Sequence, residues 1–128
     1  MKIWSGNLCC LFFISKSFFY FCHIMNQQIF KEIQQLKRQI LPNERVILFG
    51  SQARGDARED SDWDLLVLLN KEEREFVKDF DNYAYPFKEI GLKHNVLVNT
   101  KIFTLKDWER QKPSIFYNNV EHDKIELQ

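Results

Sequence analysis

Two carboxylates separated by one residue, Asp62 and Asp64, stand at the start of an apolar run that ends at Leu69. In a β-strand, residues i and i+2 point to the same face, so the strand would hold these carboxylates side by side. The two carboxylates would repel each other unless a cation lay between them. Mg²⁺ usually binds one or two carboxylates together with phosphate oxygens. The alternative, a solvated acidic turn, suits Asp60 well and Asp64 poorly, because five apolar residues follow Asp64 directly.

A candidate phosphate site lies earlier in the chain. The apolar run 46–49 predicts a buried strand, and Gly50-Ser51 follow it. Glycine lets backbone N–H groups approach a ligand without a Cβ in the way. Ser51 as N-cap of the next helix would aim that helix's free N–H groups at the same point, and helix N-termini bind anions. Taken alone, Gly-Ser at a strand end more often forms an ordinary turn.

Two common motifs that partly match the spacing of these aspartates and glycines are excluded. Asp60, Asp62 and Asp64 begin like a calcium-binding EF-hand loop, but Leu65 stands where that loop needs glycine. The glycine spacing at 50–55 matches a P-loop, but Asp-Ala follows where Lys-Ser or Lys-Thr is required.

The elements that position these residues follow from periodicity. Apolar residues at three- and four-residue spacing predict a first helix from Asn26 that ends before Pro42. Ser51 to Ala57 should form one or two helical turns, and a kink at Pro86 should split a helix closed by Gly91. The other predicted elements are strands at 46–49, 62–69 and 95–103 and helices at 71–90, from Thr104 through Glu109, and at 113–120. We predict an α+β fold with a small mixed β-sheet of at least three strands packed by helices.

The 128 residues suffice for one small domain, and composition narrows the function classes. With 18 basic and 18 acidic residues, the chain has no overall charge that would draw it to nucleic acid or a membrane. All three cysteines lie in the first 24 residues, so the remainder offers neither a disulfide framework nor a thiolate metal site.

Residues 1–24 contain five of the twelve phenylalanines and no Asp or Glu. We interpret them as a false start or a disordered apolar extension and expect a single domain over residues 25–128. A secretory signal or membrane anchor is a second interpretation, although no small-residue cleavage site follows and the apolar run is short for a membrane span. A genuine extra structural element is the third.

The central motif resembles the minimal nucleotidyltransferase family of the polymerase-beta-like superfamily. The residues that carry the resemblance are Leu48-Phe49-Gly50-Ser51-Gln52-Ala53-Arg54-Gly55, Arg58 and Asp60-Ser61-Asp62-Trp63-Asp64-Leu65-Leu66-Val67. The resemblance implies the polymerase-beta-like nucleotidyltransferase fold, in which Gly50 and Ser51 hold the triphosphate of ATP or another nucleoside triphosphate. It also implies that Asp62 and Asp64 bind Mg²⁺, with Arg54 and Arg58 as helpers; each arginine could equally be structural.

The family's third carboxylate normally lies on the next long strand, and the corresponding residue here is Asn95. Asparagine can bind a metal through its carbonyl oxygen, but it cannot act as a general base. The neighbouring His94 is an alternative base, although a histidine there is more often simply exposed.

Three functions are compatible with the resemblance. Family members of this size resemble the cytoplasmic antitoxin of a toxin–antitoxin pair whose toxin is a HEPN-domain RNase, which implies AMP transfer from ATP to a hydroxyl of that partner protein. The second is a catalytically silent module that neutralises its partner by binding. The third, nucleotidylation of a small molecule, is weaker because no second domain is present to bind the acceptor. None of these requires direct nucleic-acid or membrane binding.

Overall fold

The computed structural model describes residues 26–128, so the interpretations of residues 1–24 concern a segment outside the described residues. The elements in chain order are α1 (Gln27–Ile40), β1 (Arg45–Phe49), α2 (Ser51–Arg54), β2 (Trp63–Leu69), α3 (Phe76–Asp79), a π-helical turn (Phe80–Ala84), α4 (Tyr85–His94), β3 (Val98–Thr104), α5 (Leu105–Arg110), α6 (Ile115–Asp123) and β4 (Ile125–Glu126).

The strands form one mixed sheet in the order β3-β2-β1-β4. β1 pairs antiparallel with both β2 and β4, whereas β2 and β3 are parallel. The predicted α+β fold with a small mixed sheet is confirmed. The two-residue strand β4 escaped prediction because it is too short to show a period of its own.

Helices cover both faces of this sheet. Alternate residues of β2, including Leu65 and Val67, pack in one core with Ile33 of α1 and Phe87 of α4. The intervening residues Leu66 and Leu68 pack in a second core with Trp108 of α5 and Val120 of α6. Burial on both faces explains why β2 is an unbroken apolar run after Asp64.

The predicted first helix is confirmed as α1, and the Asn26 side chain caps it by accepting hydrogen bonds from the N–H groups of Gln28 and Ile29. The short helix after β1 differs in its cap: Gly50, with φ +77°, takes the N-cap position, and Ser51 is the first helical residue. The prediction of Ser51 as a side-chain N-cap is therefore wrong, because the chain must reverse at Gly50 in a conformation that favours glycine.

The segment after β2 differs most from prediction. Helix formation begins at Phe76 instead of residue 71, and a π-helical turn interrupts it before Pro86, which sits in the first turn of α4 where no N–H is needed. Gly91 is not the predicted C-cap; α4 continues to His94, and Asn95 ends it in the left-handed conformation at φ 58°. Gly91 is required for space, because a Cβ there would meet the Val96 carbonyl oxygen at 2.6 Å.

A buried carboxylate, Asp79, orders the loop between β2 and α3. It accepts hydrogen bonds from Lys71 Nζ at 2.9 Å, Arg74 Nε at 2.9 Å and the Glu75 N–H at 2.8 Å. Arg74 also donates to the carbonyl oxygen of Ile102 in β3. These hydrogen bonds hold the loop against the edge strand β3.

No helix within residues 26–128 combines the length and the apolar character needed to cross a membrane.

Candidate active site

The parallel pairing of β2 with β3 places Asn99 directly beside Asp64. The Asn99 amide nitrogen lies 3.2 Å from Asp62 Oδ2 and 3.4 Å from Asp64 Oδ1. The two carboxylates are therefore brought together as predicted, and one amide group bridges them. Asp64 has the same parity as Leu66 along β2, so the cluster lies on the sheet face that α5 and α6 cover.

The environment of Asp64 disfavours its charge. Burial raises the pKa of Asp64, and the neighbouring Asp62 carboxylate raises it further. The hydrogen bond from Asn99 and the positive charges of Lys101 and Arg54 oppose that rise without cancelling it. A divalent cation between the carboxylates would remove the repulsion and offset the cost of burial.

Gly50 brings the turn after β1 into contact with this cluster. A Cβ built on Gly50 would lie 2.5 Å from Asp64 Oδ2, and the residue's φ of +77° is itself unfavourable for other amino acids. Two independent constraints thus require glycine here. As a result, the start of α2, where the first N–H groups of a helix have no intrahelical partner, lies next to the carboxylates.

The two arginines of the motif have separate environments. Arg54 Nη1 lies 2.8 Å from Asp123 Oδ2 and its Nε lies 3.2 Å from Asp56 Oδ2, so its guanidinium links α2 to the end of α6. Arg58 instead lines a cavity of about 380 Å³ together with Gln52. Its backbone closes the turn before β2, because the Arg58 N–H donates to Ser61 Oγ at 2.7 Å.

Asn95 and His94 lie outside strand β3, contrary to the prediction that this strand starts at residue 95. The strand begins at Val98, because residues up to His94 continue helix α4 and Asn95 caps it. His94 Nε2 lies 3.0 Å from Glu32 Oε1 of α1. The side chain that meets Asp62 and Asp64 is Asn99, which no motif in the sequence singles out.

A cleft runs along the outer side of β3 beside the carboxylates. Its volume is about 390 Å³. The lining residues are Asp64, Phe80, Ala84, Lys88 and the five consecutive residues Leu97 to Lys101. Apart from Asp64, none of these residues was predicted from the sequence to belong to a site, because their proximity depends on the packing of the π-helical turn and α4 against β3.

The donor set fits a magnesium ion that is completed by phosphate oxygens. No group of three or more His, Cys, Asp or Glu side chains suited to a metal occurs within residues 26–128. Two carboxylates remain, Asp62 and Asp64, and it is the amide nitrogen of Asn99 that faces them. Mg²⁺ characteristically uses one or two carboxylates together with substrate phosphates, so the small number of protein ligands agrees with this metal.

Comparison with known proteins agrees with the fold and the motif. The family model described as nucleotidyltransferase domain matches residues 27–122, from α1 to α6. The chain is also 32% identical over 107 residues to the Methanocaldococcus jannaschii protein named "Putative protein adenylyltransferase MJ0141", covering 78% of this chain and 96% of that protein. The chain therefore belongs to the nucleotidyltransferase domain family.

Proposed function

We propose that this protein binds Mg²⁺-ATP and transfers AMP to a hydroxyl group of a partner protein. The observation that carries the proposal is the pair Asp62 and Asp64, both within hydrogen-bond reach of the Asn99 amide nitrogen, with Asp64 directly beside Gly50. The name of the archaeal relative, a protein adenylyltransferase, supports both the nucleotide and the class of acceptor.

In the proposed reaction, the acceptor hydroxyl oxygen attacks the α-phosphorus of ATP. A new phosphorus–oxygen bond forms, the bond between the α-phosphorus and the oxygen that bridges to the β-phosphorus breaks, pyrophosphate leaves, and the hydroxyl proton passes to water. Mg²⁺, when bound, would neutralise phosphate charge and align the triphosphate for in-line attack. Asp62 and Asp64 would hold the metal, and Gly50 and Ser51 would bring backbone N–H groups to the phosphates.

The remaining motif residues would act less directly. Arg54 is engaged by Asp123 and Asp56, so we assign it to positioning α2. Arg58 carries no ion pair in the described part of the chain and would remain available to a phosphate oxygen, beside the loop that leads to Asp62. Asn99, rather than Asn95, would occupy the place of the third carboxylate.

For the partner we propose a HEPN-type RNase toxin, with this chain as the cytoplasmic antitoxin. The resemblance of the motif around Asp62 and Asp64 to the minimal nucleotidyltransferase family supports this assignment. A protein partner is also supported by large apolar side chains at the surface of α3, where Phe76 is 73% exposed and Val77 is 77% exposed.

The second candidate is a silent binding module of the same fold, and one observation favours it. Asn99 contributes a neutral amide where a third carboxylate would favour deprotonation of the acceptor hydroxyl. In this alternative the fold neutralises its partner by complex formation alone.

Titration calorimetry with ATP and Mg²⁺ tests the proposal. We expect binding by the wild type and weaker binding by Asp62→Ala and Asp64→Ala. Asp60→Ala is the matched control, because Asp60 is exposed and belongs to the same acidic turn. Absence of ATP binding by the wild type, or equal loss in all three variants, would contradict the proposed site. Label transfer from ATP to a co-purified partner then separates the enzyme from the silent module.

A further inference from the structure

β3 is an edge strand whose outer side is open along half of its length. It pairs only with β2 among the described strands. The Trp63 N–H donates to the Leu97 carbonyl, so residues of odd number direct their backbone groups to β2 and residues of even number direct theirs outward. At one end Arg74 covers this outer side by donating to the Ile102 carbonyl. The outward groups of Val98 and Thr100 have no strand partner.

The open part of this edge forms the floor of the 390 Å³ cleft next to Asp64. Two exposed apolar side chains border it, Phe80 at 46% and Leu97 at 48% exposure. The cleft thus combines apolar side chains at its border with outward backbone groups that pair with no described strand. An added strand needs hydrogen-bond partners of this kind.

Three polar side chains of the cleft have neither a hydrogen-bond partner nor an ion-pair partner among the described residues. Thr100 Oγ1 is buried and has no hydrogen-bond partner in the described structure. Lys88 and Lys101 both line the cleft, and neither ammonium group forms an ion pair within residues 26–128; Lys101 Nζ lies 6.0 Å from the centre of the Phe116 ring. Two cations without a carboxylate partner favour an acidic occupant.

We propose that this cleft binds an extended acidic segment of the acceptor protein, which adds to the open edge of β3 as a further strand. The occupant is a peptide with acidic residues that face Lys88 and Lys101, while its backbone pairs with Val98 and Thr100. An added strand lies about 4.8 Å from its neighbour, and paired residues share a face of the sheet. A hydroxyl side chain paired beside Asn99 would then lie on the face that carries Asp62 and Asp64. This last step rests on the proposed AMP transfer; the binding itself does not.

Peptide binding without nucleotide tests the inference. The probe is a fluorescent heptapeptide of alternating acidic and apolar residues with a central tyrosine, and the readout is fluorescence anisotropy with the whole chain. We expect binding that weakens as salt rises, since the lysines contribute. Lys88→Glu should weaken it at least about tenfold, which corresponds to about 1.4 kcal/mol.

Thr100→Pro is the decisive variant. The Thr100 N–H faces outward, so proline removes one donor to the added strand and leaves the pairing with β2 in place. We expect binding at least about tenfold weaker, whereas Thr100→Val keeps the N–H and should lose less. Because a proline variant can misfold, a second measurement uses the wild type with a probe that is N-methylated at alternate amides. This probe has the same side chains and should bind at least about tenfold more weakly.

Several outcomes would overturn the inference. Equal binding of the methylated probe would show side-chain recognition without strand addition. A wild type that binds a short oligouridine and not the peptide would assign the cleft to RNA. A dimer in light scattering that Thr100→Pro separates would make a second copy of the chain the occupant. The proposed function can fail separately from the peptide site. Peptide binding without ATP binding by calorimetry would support the peptide site and contradict the transferase. ATP binding without peptide binding would support the transferase and contradict the peptide site.

Discussion

Replacing Asn99 by Asp is the substitution whose effect the site geometry predicts in most detail. The new carboxylate oxygen would take about the place of the amide nitrogen, 3.4 Å from Asp64 Oδ1 and 3.2 Å from Asp62 Oδ2. Two hydrogen bonds are thereby exchanged for two charge repulsions. Without a divalent cation the variant should be less stable than the wild type.

The size of the loss follows from two limits. Two unit charges about 3.4 Å apart repel by about 5 kcal/mol at an effective dielectric constant of about 20, and the exposed Asp62 adds about 1 kcal/mol because water screens it. The loss of stability cannot exceed the cost of protonating one carboxyl group. At pH 7, about three units above an ordinary aspartate pKa, that protonation costs about 4 kcal/mol. We expect Asn99→Asp to lower the free energy of unfolding by about 2–4 kcal/mol at pH 7, and by about 1.5 kcal/mol at pH 5.

Urea unfolding in EDTA and in millimolar Mg²⁺ measures this effect. Mg²⁺ should restore most of the stability that Asn99→Asp loses, since a cation bound only by the folded state stabilises it. Transfer of label from ATP should also rise, because a third carboxylate favours deprotonation of the acceptor hydroxyl. Asn95→Asp is the matched control: this residue is exposed at the end of α4, so stability should change by no more than about 0.5 kcal/mol with no dependence on Mg²⁺. A magnesium-dependent change in Asn95→Asp and none in Asn99→Asp would refute the assignment.

Three further substitutions test other parts of the structure. Gly50→Ala should destabilise the fold by more than about 1 kcal/mol and weaken ATP binding, because its Cβ would meet Asp64 at 2.5 Å and its φ is +77°; urea unfolding and calorimetry report the two effects. Asp79→Asn should cost about 3–5 kcal/mol at neutral pH, since it breaks a buried ion pair. Burial alone would raise the pKa of Asp79, but its hydrogen bonds hold that pKa below the usual range. The stabilisation by Asp79 is therefore present above about pH 3.9 and is lost as pH falls through the folded-state pKa. Acid titration of unfolding should show this loss in the wild type and not in the variant. Arg54→Met should lower the melting temperature more than Arg58→Met, because only Arg54 bonds to Asp123, whose side chain is 6% exposed. Equal shifts would argue against that link.

The elements whose formation depends on local sequence patterns were predicted correctly. α1 was predicted from its apolar spacing and β2 from its unbroken apolar run, because each depends on local periodicity and burial. The juxtaposition of Asp62 and Asp64 was predicted for the same reason, since residues i and i+2 of a strand share a face. The position of helix 71–90 was wrong at its start, because Asp79 holds residues 71–75 in a loop through contacts that periodicity does not reveal.

The third member of the site depended on tertiary structure. Asn95 and Asn99 have the same parity, so the alternation of a strand cannot choose between them. The choice is made by the end of α4: Asn95 adopts the left-handed conformation, Gly91 packs closely against Val96, and β3 begins at Val98 in register with Trp63. That register joins residues 35 positions apart in the chain, where no local pattern operates.

The sequence by itself determined the family motif, the carboxylate pair and the glycine turn after β1, because these lie within the 20 residues 48–67 and are specified by local backbone geometry. Only the tertiary structure decided that Asn99 bridges the carboxylates, that Arg54 is bound to the end of α6, and that β3 is an open edge beside the site. These features arise where separate elements pack against one another, and their energies come from contacts between residues that are distant in the chain.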